Sequence, residues 1–157
     1  MNIIEKLEAL LEQENVRYEL FAHPAAYSSQ RVARAERVPG REEAKVVILN
    51  ADGRDIMVVL PATHRVDLLK MGSFLGTKNL RLEKEQKFSG LFPDSEPGAM
   101  PPFGNIYHVP VYVDKNLGEN EDIVFNAGRH NEAIRMKYRD YEGIVKPSVG
   151  DFAMRIH

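Results

Sequence analysis

Cysteine is absent from the 157 residues, which excludes disulfides, thiolate metal sites and a cysteine nucleophile. No apolar run approaches the ~18 residues that span a membrane. Glu5, Glu8 and Glu12 interrupt the apolar N-terminus, which is unlike a secretory leader, so a soluble cytoplasmic protein is expected. A large excess of charge of either sign is also missing. The formal net charge is −2, so the total gives no reason to expect a polyanionic partner. His23, His64, His108, His130 and His157 show no HExxH or comparable ligand spacing, so neither a metal nor another cofactor is expected. A GxSxG nucleophile elbow is lacking too. No repeat, low-complexity tract or long linker divides the chain, and 43% hydrophobic against 28% charged residues suits one folded domain over 1–157.

What is present reads as alternating helices and strands. Ile3, Ile4, Leu7, Leu10 and Leu11 recur at helical spacing opposite acids and Lys6. A strand is expected over 16–21, ended by His23-Pro24, then a short helix from Ser28 or Ser29 to about Glu36. The runs 45–49 and 56–60 are strands joined by Asn50-Ala51-Asp52-Gly53 as a hairpin. Both are continuously apolar, which predicts cover on both faces. Asp67 caps a helix that Gly76 stops. A short strand near Leu80, a helix from Glu83 to Leu91, strands near 106–113, 122–126 and 132–137, and a helix from Asp140 to Val145 complete the order. The fold class is α+β, with a mixed, highly twisted sheet surrounded by helices and a barrel-like closure.

The chemistry concentrates in two segments and one lysine. Gly98-Ala99-Met100-Pro101-Pro102-Phe103-Gly104 is a loop stiffened by adjacent prolines and opened by glycines. Phe125-Asn126-Ala127-Gly128-Arg129-His130 again sets small residues beside polar ones, and Lys45 heads an apolar strand. Plain readings stand beside the functional ones: a structural turn for the loop, a solvated strand end for Lys45, and loop or turn residues for His130, Asn126 and Gly128. Between residues 31 and 45, Arg31, Arg34, Arg37, Arg41 and Lys45 outnumber Glu36, Glu42 and Glu43, a net of +2. That face suits phosphate or a solvated helix alike. Arg65 is a further phosphate candidate or a surface ion pair.

These residues, taken in order, resemble the YbaK/EbsC family. The resemblance rests on His23-Pro24, the Arg41…Lys45-Val46-Val47 strand, Leu60-Pro61-Ala62 with Arg65-Val66-Asp67-Leu68, the 98–104 loop and Phe125-Asn126-Ala127-Gly128. It spans about residues 3–153 and implies free-standing aminoacyl-tRNA deacylases related to the editing insertion of bacterial prolyl-tRNA synthetase. The implied activity is trans-editing, hydrolysis of the ester between a wrong small amino acid and a tRNA, most often tRNA(Pro). The family's lysine corresponds to Lys45, and its Gly-x-x-x-Pro loop to Gly98 through Pro102.

An aminoacyl ester is already activated, so its hydrolysis needs a placed water, a screened oxyanion and a rigidly held carbonyl, without a metal. Backbone N–H groups at Gly98 and Ala99, the Lys45 ammonium and His130 are the expected catalytic groups. Met100, Pro101, Pro102, Phe103, Asn126 and Gly128 are the expected substrate contacts. Arg31, Arg34, Arg41 and Arg65 are expected at the tRNA acceptor end, in contacts that weaken with salt. A synthetase is a further candidate partner. Two rivals remain: a non-catalytic module binding an aminoacyl-like ligand or a protein, and a small-molecule esterase.

Overall fold

The computed structural model describes residues 2–22 and 38–156. His23-Pro24, the expected helix after Ser28 or Ser29, Arg31, Arg34 and Arg37 lie outside the described residues. Helix α1 (Ile3–Gln13) is capped by Asn2, whose side chain accepts the Glu5 N–H at 2.8 Å. Its Ile3, Leu7 and Leu11 form the buried stripe that the spacing predicts. Strand β1 (Tyr18–Ala22) pairs antiparallel with β8 (Glu132–Lys137), which pairs antiparallel with β7 (Asp122–Asn126).

The larger sheet has five strands in the order β5-β2-β3-β6-β9. They are β2 (Ala44–Ala51), β3 (Arg54–Pro61), β5 (Leu80–Leu82), β6 (Val111–Asp114) and β9 (Ser148–Gly150). The β2–β3 hairpin is antiparallel, whereas β6 runs parallel to both β3 and β9, so the sheet is mixed. The central runs of β2 and β3 are continuously apolar, and both of their faces are covered. Met57 and Val59 enter one core with α1, β7 and β8, while Ile56, Val58 and Leu60 enter a second with Met71 and Phe152. Among the described residues an isolated parallel bridge, Glu43 to Val124, joins this sheet to the three-stranded one. The barrel-like expectation is therefore met by twisted sheets linked at one edge and not by a continuous closed ladder.

Asp67 caps α2 (Leu68–Leu75) by accepting the Leu69 and Lys70 N–H groups, as expected. Helix α3 (Glu85–Leu91) starts two residues later than the pattern suggests. Glu83 is buried instead, accepting from Asn50 Nδ2 at 3.1 Å and from the Lys84 N–H at 3.0 Å. The expected strand at 106–113 shrinks to Val111–Asp114. Pro110 has no N–H to give a ladder, and His108 sits at φ +59°. Helix α4 (Tyr138–Val145) begins directly after β8. Strands β4 (His64–Val66), β9 and β10 (Ala153–Arg155), of three residues each, are too short to show an alternation in sequence.

Candidate active site

Two loops are laced together at one end of the core. Glu96 N–H donates to Gly128 O at 2.8 Å, and Gly128 N–H donates to Ala99 O at 2.9 Å. Gly128 has φ +97°, and a Cβ there would run into Ile3 Cγ2 of α1. Glycine at 128 is thus required by its backbone conformation and by the helix beneath it. Residues 96–99 form a tight turn closed by Ala99 N–H donating to Glu96 O at 3.0 Å. Pro97 precedes Gly98, whose φ is +83°, which is a type II turn with proline and glycine at its two central positions.

This geometry sorts the loop residues. Ala99 is fully buried, its N–H donates to Glu96 and its carbonyl accepts from Gly128. It braces the turn, and its amide is not open to an oxyanion. Gly98 is exposed, and among the described residues no partner takes its N–H. Phe103 is 0% exposed, packed on Phe125 and Tyr141 at 5.4 and 5.3 Å between ring centres. Met100 belongs to the same core and is 5% exposed. Pro101 and Pro102 are buried as well. These four side chains are turned into the protein and anchor the loop.

His130 lies against the turn. Its Nε2 is 2.8 Å from Pro97 O, and its backbone N–H donates to Glu96 Oε1 at 3.2 Å. A carbonyl can only accept, so Nε2 carries a proton. Lys45 and Asn126 lie on the two sheets that the Glu43–Val124 bridge ties together. Two residues beyond the Glu43–Val124 bridge on each strand stand Lys45 and Asn126, on the face that Glu43 and Val124 share. Both are half-buried, and the 126–130 segment continues from Asn126 into Gly128 and His130. Burial pushes the Lys45 ammonium below its ordinary pKa of 10.5, and Glu43 opposes the shift. None of the ion pairs among the described residues involves Lys45.

The structure thus ties Gly128 and His130 to the turn that carries Gly98, while Lys45 and Asn126 stand two residues past the bridge between the two sheets. Arg41 is exposed just before β2, where its carbonyl accepts from Asn120 Nδ2 at 2.8 Å and its guanidinium lies 3.7 Å from Glu42. Arg65 is exposed on β4, opposite Met154 of β10. Arg31 and Arg34 lie outside the described residues.

Residues 23–144 match the family described as the aminoacyl-tRNA editing domain. The chain belongs to that family. It is 26% identical over 153 residues to the multifunctional Ser/Thr-tRNA deacylase ProXp-y of Escherichia coli (strain K12), covering 94% of this chain and 91% of that protein. It is also 27% identical over 104 residues to a proline–tRNA ligase of Staphylococcus saprophyticus, covering 66% of this chain but 18% of the ligase. A solved structure described as a candidate trans-editing enzyme for prolyl tRNA synthetase superposes with a TM-score of 0.85 at 18% identity, over 97% of both chains. That likeness establishes the fold.

In this editing domain several supports have no signature in sequence. Glu96 holds both Gly128 and His130. Lys6 of α1 pairs with Asp94 at 2.9 Å, and the Tyr107 hydroxyl donates to Asp94 at 2.8 Å, fixing the loop's approach. Tyr141 of α4 donates its buried hydroxyl to Pro102 O at 2.7 Å. Only Glu96-Pro97-Gly98, a turn-forming triplet, could have been singled out beforehand.

Proposed function

We propose that this editing domain removes a wrong small amino acid from tRNA, with tRNA(Pro) as the carrier, by hydrolysing the aminoacyl ester. The observation that carries the reading is the exposed Gly98 amide on a braced turn, without a partner among the described residues; the half-buried Lys45 stands two residues past the bridge between the two sheets. In this reading water adds to the ester carbon, and the carbonyl oxygen takes the negative charge. The Gly98 N–H and the Lys45 ammonium stabilise that oxyanion or the neighbouring ribose and phosphate oxygens. The bond to the ribose oxygen then breaks, and the proton released by water ends on that ribose oxygen. Asn126 supplies both a donor and an acceptor to the aminoacyl group.

A second site is chemically useful here because a single methylene is worth only about 1–3 kcal/mol in a binding pocket. Arg31, Arg34, Arg41 and Arg65 are assigned to acceptor-end phosphates, the cytoplasm to its location, and the whole of 1–157 to one domain. The relationships to ProXp-y and to a segment of proline–tRNA ligase support the substrate class. Gly98→Val tests the site. A β-branched residue resists φ near +83°, yet a Cβ there meets only His130 at 3.5 Å, so the fold has room for it. The expected result is at least a ~100-fold fall in kcat with an unchanged circular dichroism spectrum. Full activity would remove the Gly98 amide from the mechanism.

A further inference from the structure

We propose that His130 acts through the Pro97–Gly98 peptide, aiming the Gly98 N–H, and is a positioning residue that does not handle the substrate's protons. The inference rests on the deacylase reading of the Gly98 amide, but its geometry is independent of any ligand.

A turn with proline at its second position can be type I or type II. Both keep the closing hydrogen bond, here Ala99 N–H to Glu96 O, so that bond does not choose between them. They differ in the central peptide, which points in opposite directions in the two forms. In type II the third residue has positive φ, as Gly98 does at +83°. None of the described peptide bonds is cis, so the Gly98 N–H points opposite to the Pro97 carbonyl. That carbonyl is the group His130 Nε2–H grips at 2.8 Å. Flipping the peptide would swing the carbonyl off the imidazole and turn the Gly98 N–H away from the side it now serves.

His130 is held for this task from two sides. Its backbone N–H is bound by the Glu96 side chain, and Glu96 begins the very turn whose central peptide the ring restrains. Gly128, two residues earlier, is tied to Glu96 and Ala99 through its own carbonyl and amide. Turn and histidine therefore move as one body. A donor on the Pro97 carbonyl also polarises the peptide and strengthens its N–H toward an oxyanion.

A general base and a donor respond differently to pH and to substitution. A general base must be neutral, so its rate falls as pH drops through the range where histidine ordinarily titrates, about pH 6–7. A donor through Nε2–H works in both the neutral ring and the imidazolium, so no acid limb arises. Glutamine places an amide nitrogen the same number of bonds from Cα as Nε2, and it cannot serve as a base.

The test has two arms. In the 15N-labelled full chain without RNA, His130→Ala should move the Gly98 amide resonance strongly, and His130→Gln should leave it close to wild type. In single-turnover and steady-state deacylation, His130→Ala should lower kcat ~100-fold with KM within about twofold, and His130→Gln should stay within about fivefold of wild type, with a flat profile between pH 5.5 and 7.5 in both active forms. An unmoved Gly98 resonance in His130→Ala overturns the inference. So does a His130→Gln enzyme as inactive as His130→Ala combined with an acid limb in the wild type. If the wild type hydrolyses no aminoacyl ester, the deacylase reading fails, and the resonance arm still decides the role of His130 in the turn.

Discussion

At the scale of single residues, Lys45 carries the sharpest consequence. Its pKa lies below 10.5 because burial disfavours the ammonium more than Glu43 favours it. The mechanism uses the charged form, so kcat, after subtraction of the uncatalysed rate, should decline as pH rises through that depressed pKa. Folding stability should move the other way. Between the folded pKa and 10.5 the unfolded chain binds more protons, so the Lys45 contribution to stability increases with pH across that window. Lys45→Arg keeps a charge over the whole range and should abolish the alkaline decline, yet its larger planar head should restore only part of the rate. Lys45→Ala should cost about 10²–10³ in kcat. An alkaline decline that persists in Lys45→Arg would assign it to another group. The sequence made Lys45 visible as a cation at the head of an apolar strand. Its half-burial and its place next to the link between the two sheets were not visible, because they depend on a bridge between segments some eighty residues apart.

At the scale of elements, helix α4 fastens the far end of the loop that carries the site. The buried Tyr141 hydroxyl gives Pro102 O its hydrogen bond, whereas the Tyr138 hydroxyl, one turn earlier, makes no well-formed hydrogen bond and has the Glu142 carboxylate as its polar neighbour. The two tyrosines provide a matched pair. Tyr141→Phe strands a buried carbonyl and should lower stability by about 1–3 kcal/mol. Tyr138→Phe removes a hydroxyl whose polar neighbour is the Glu142 carboxylate and which makes no well-formed hydrogen bond, so it should change stability much less than Tyr141→Phe. Denaturant unfolding of both variants checks this, and equal losses would contradict the assignment. Elements with strong local signals were legible: the stripe of α1, the β2–β3 hairpin and the Asp67 cap all stand where the residues place them. The three-residue strands were not, since their pairing is set by tertiary contact. Nor was the loop's interior, because nothing in Met100 or Phe103 distinguishes a pocket lining from a core anchor.

At the scale of the whole molecule, the described residues form three sheets, the five-stranded, the three-stranded and the β4–β10 pair, and four α-helices, several of which position the site residues. Helix α1 presses Gly128, the three-stranded sheet delivers Asn126 and His130, the five-stranded sheet delivers Lys45, and α4 holds Pro102. Composition and strand order made the α+β class legible, and the ordered motifs made the family legible. The division of labour within the site was not, because a glycine that avoids a helix and a glycine that offers an amide are the same letter. The most direct test of the account is hydrolysis of tRNA(Pro) charged separately with alanine, serine, threonine, cysteine or proline, by the wild type and by Lys45→Ala. The account predicts rapid loss of at least one wrong ester, sparing of prolyl-tRNA, and loss of that activity in the variant. Stability of every wrong ester in the presence of wild-type protein, or undiminished turnover by Lys45→Ala, would contradict it.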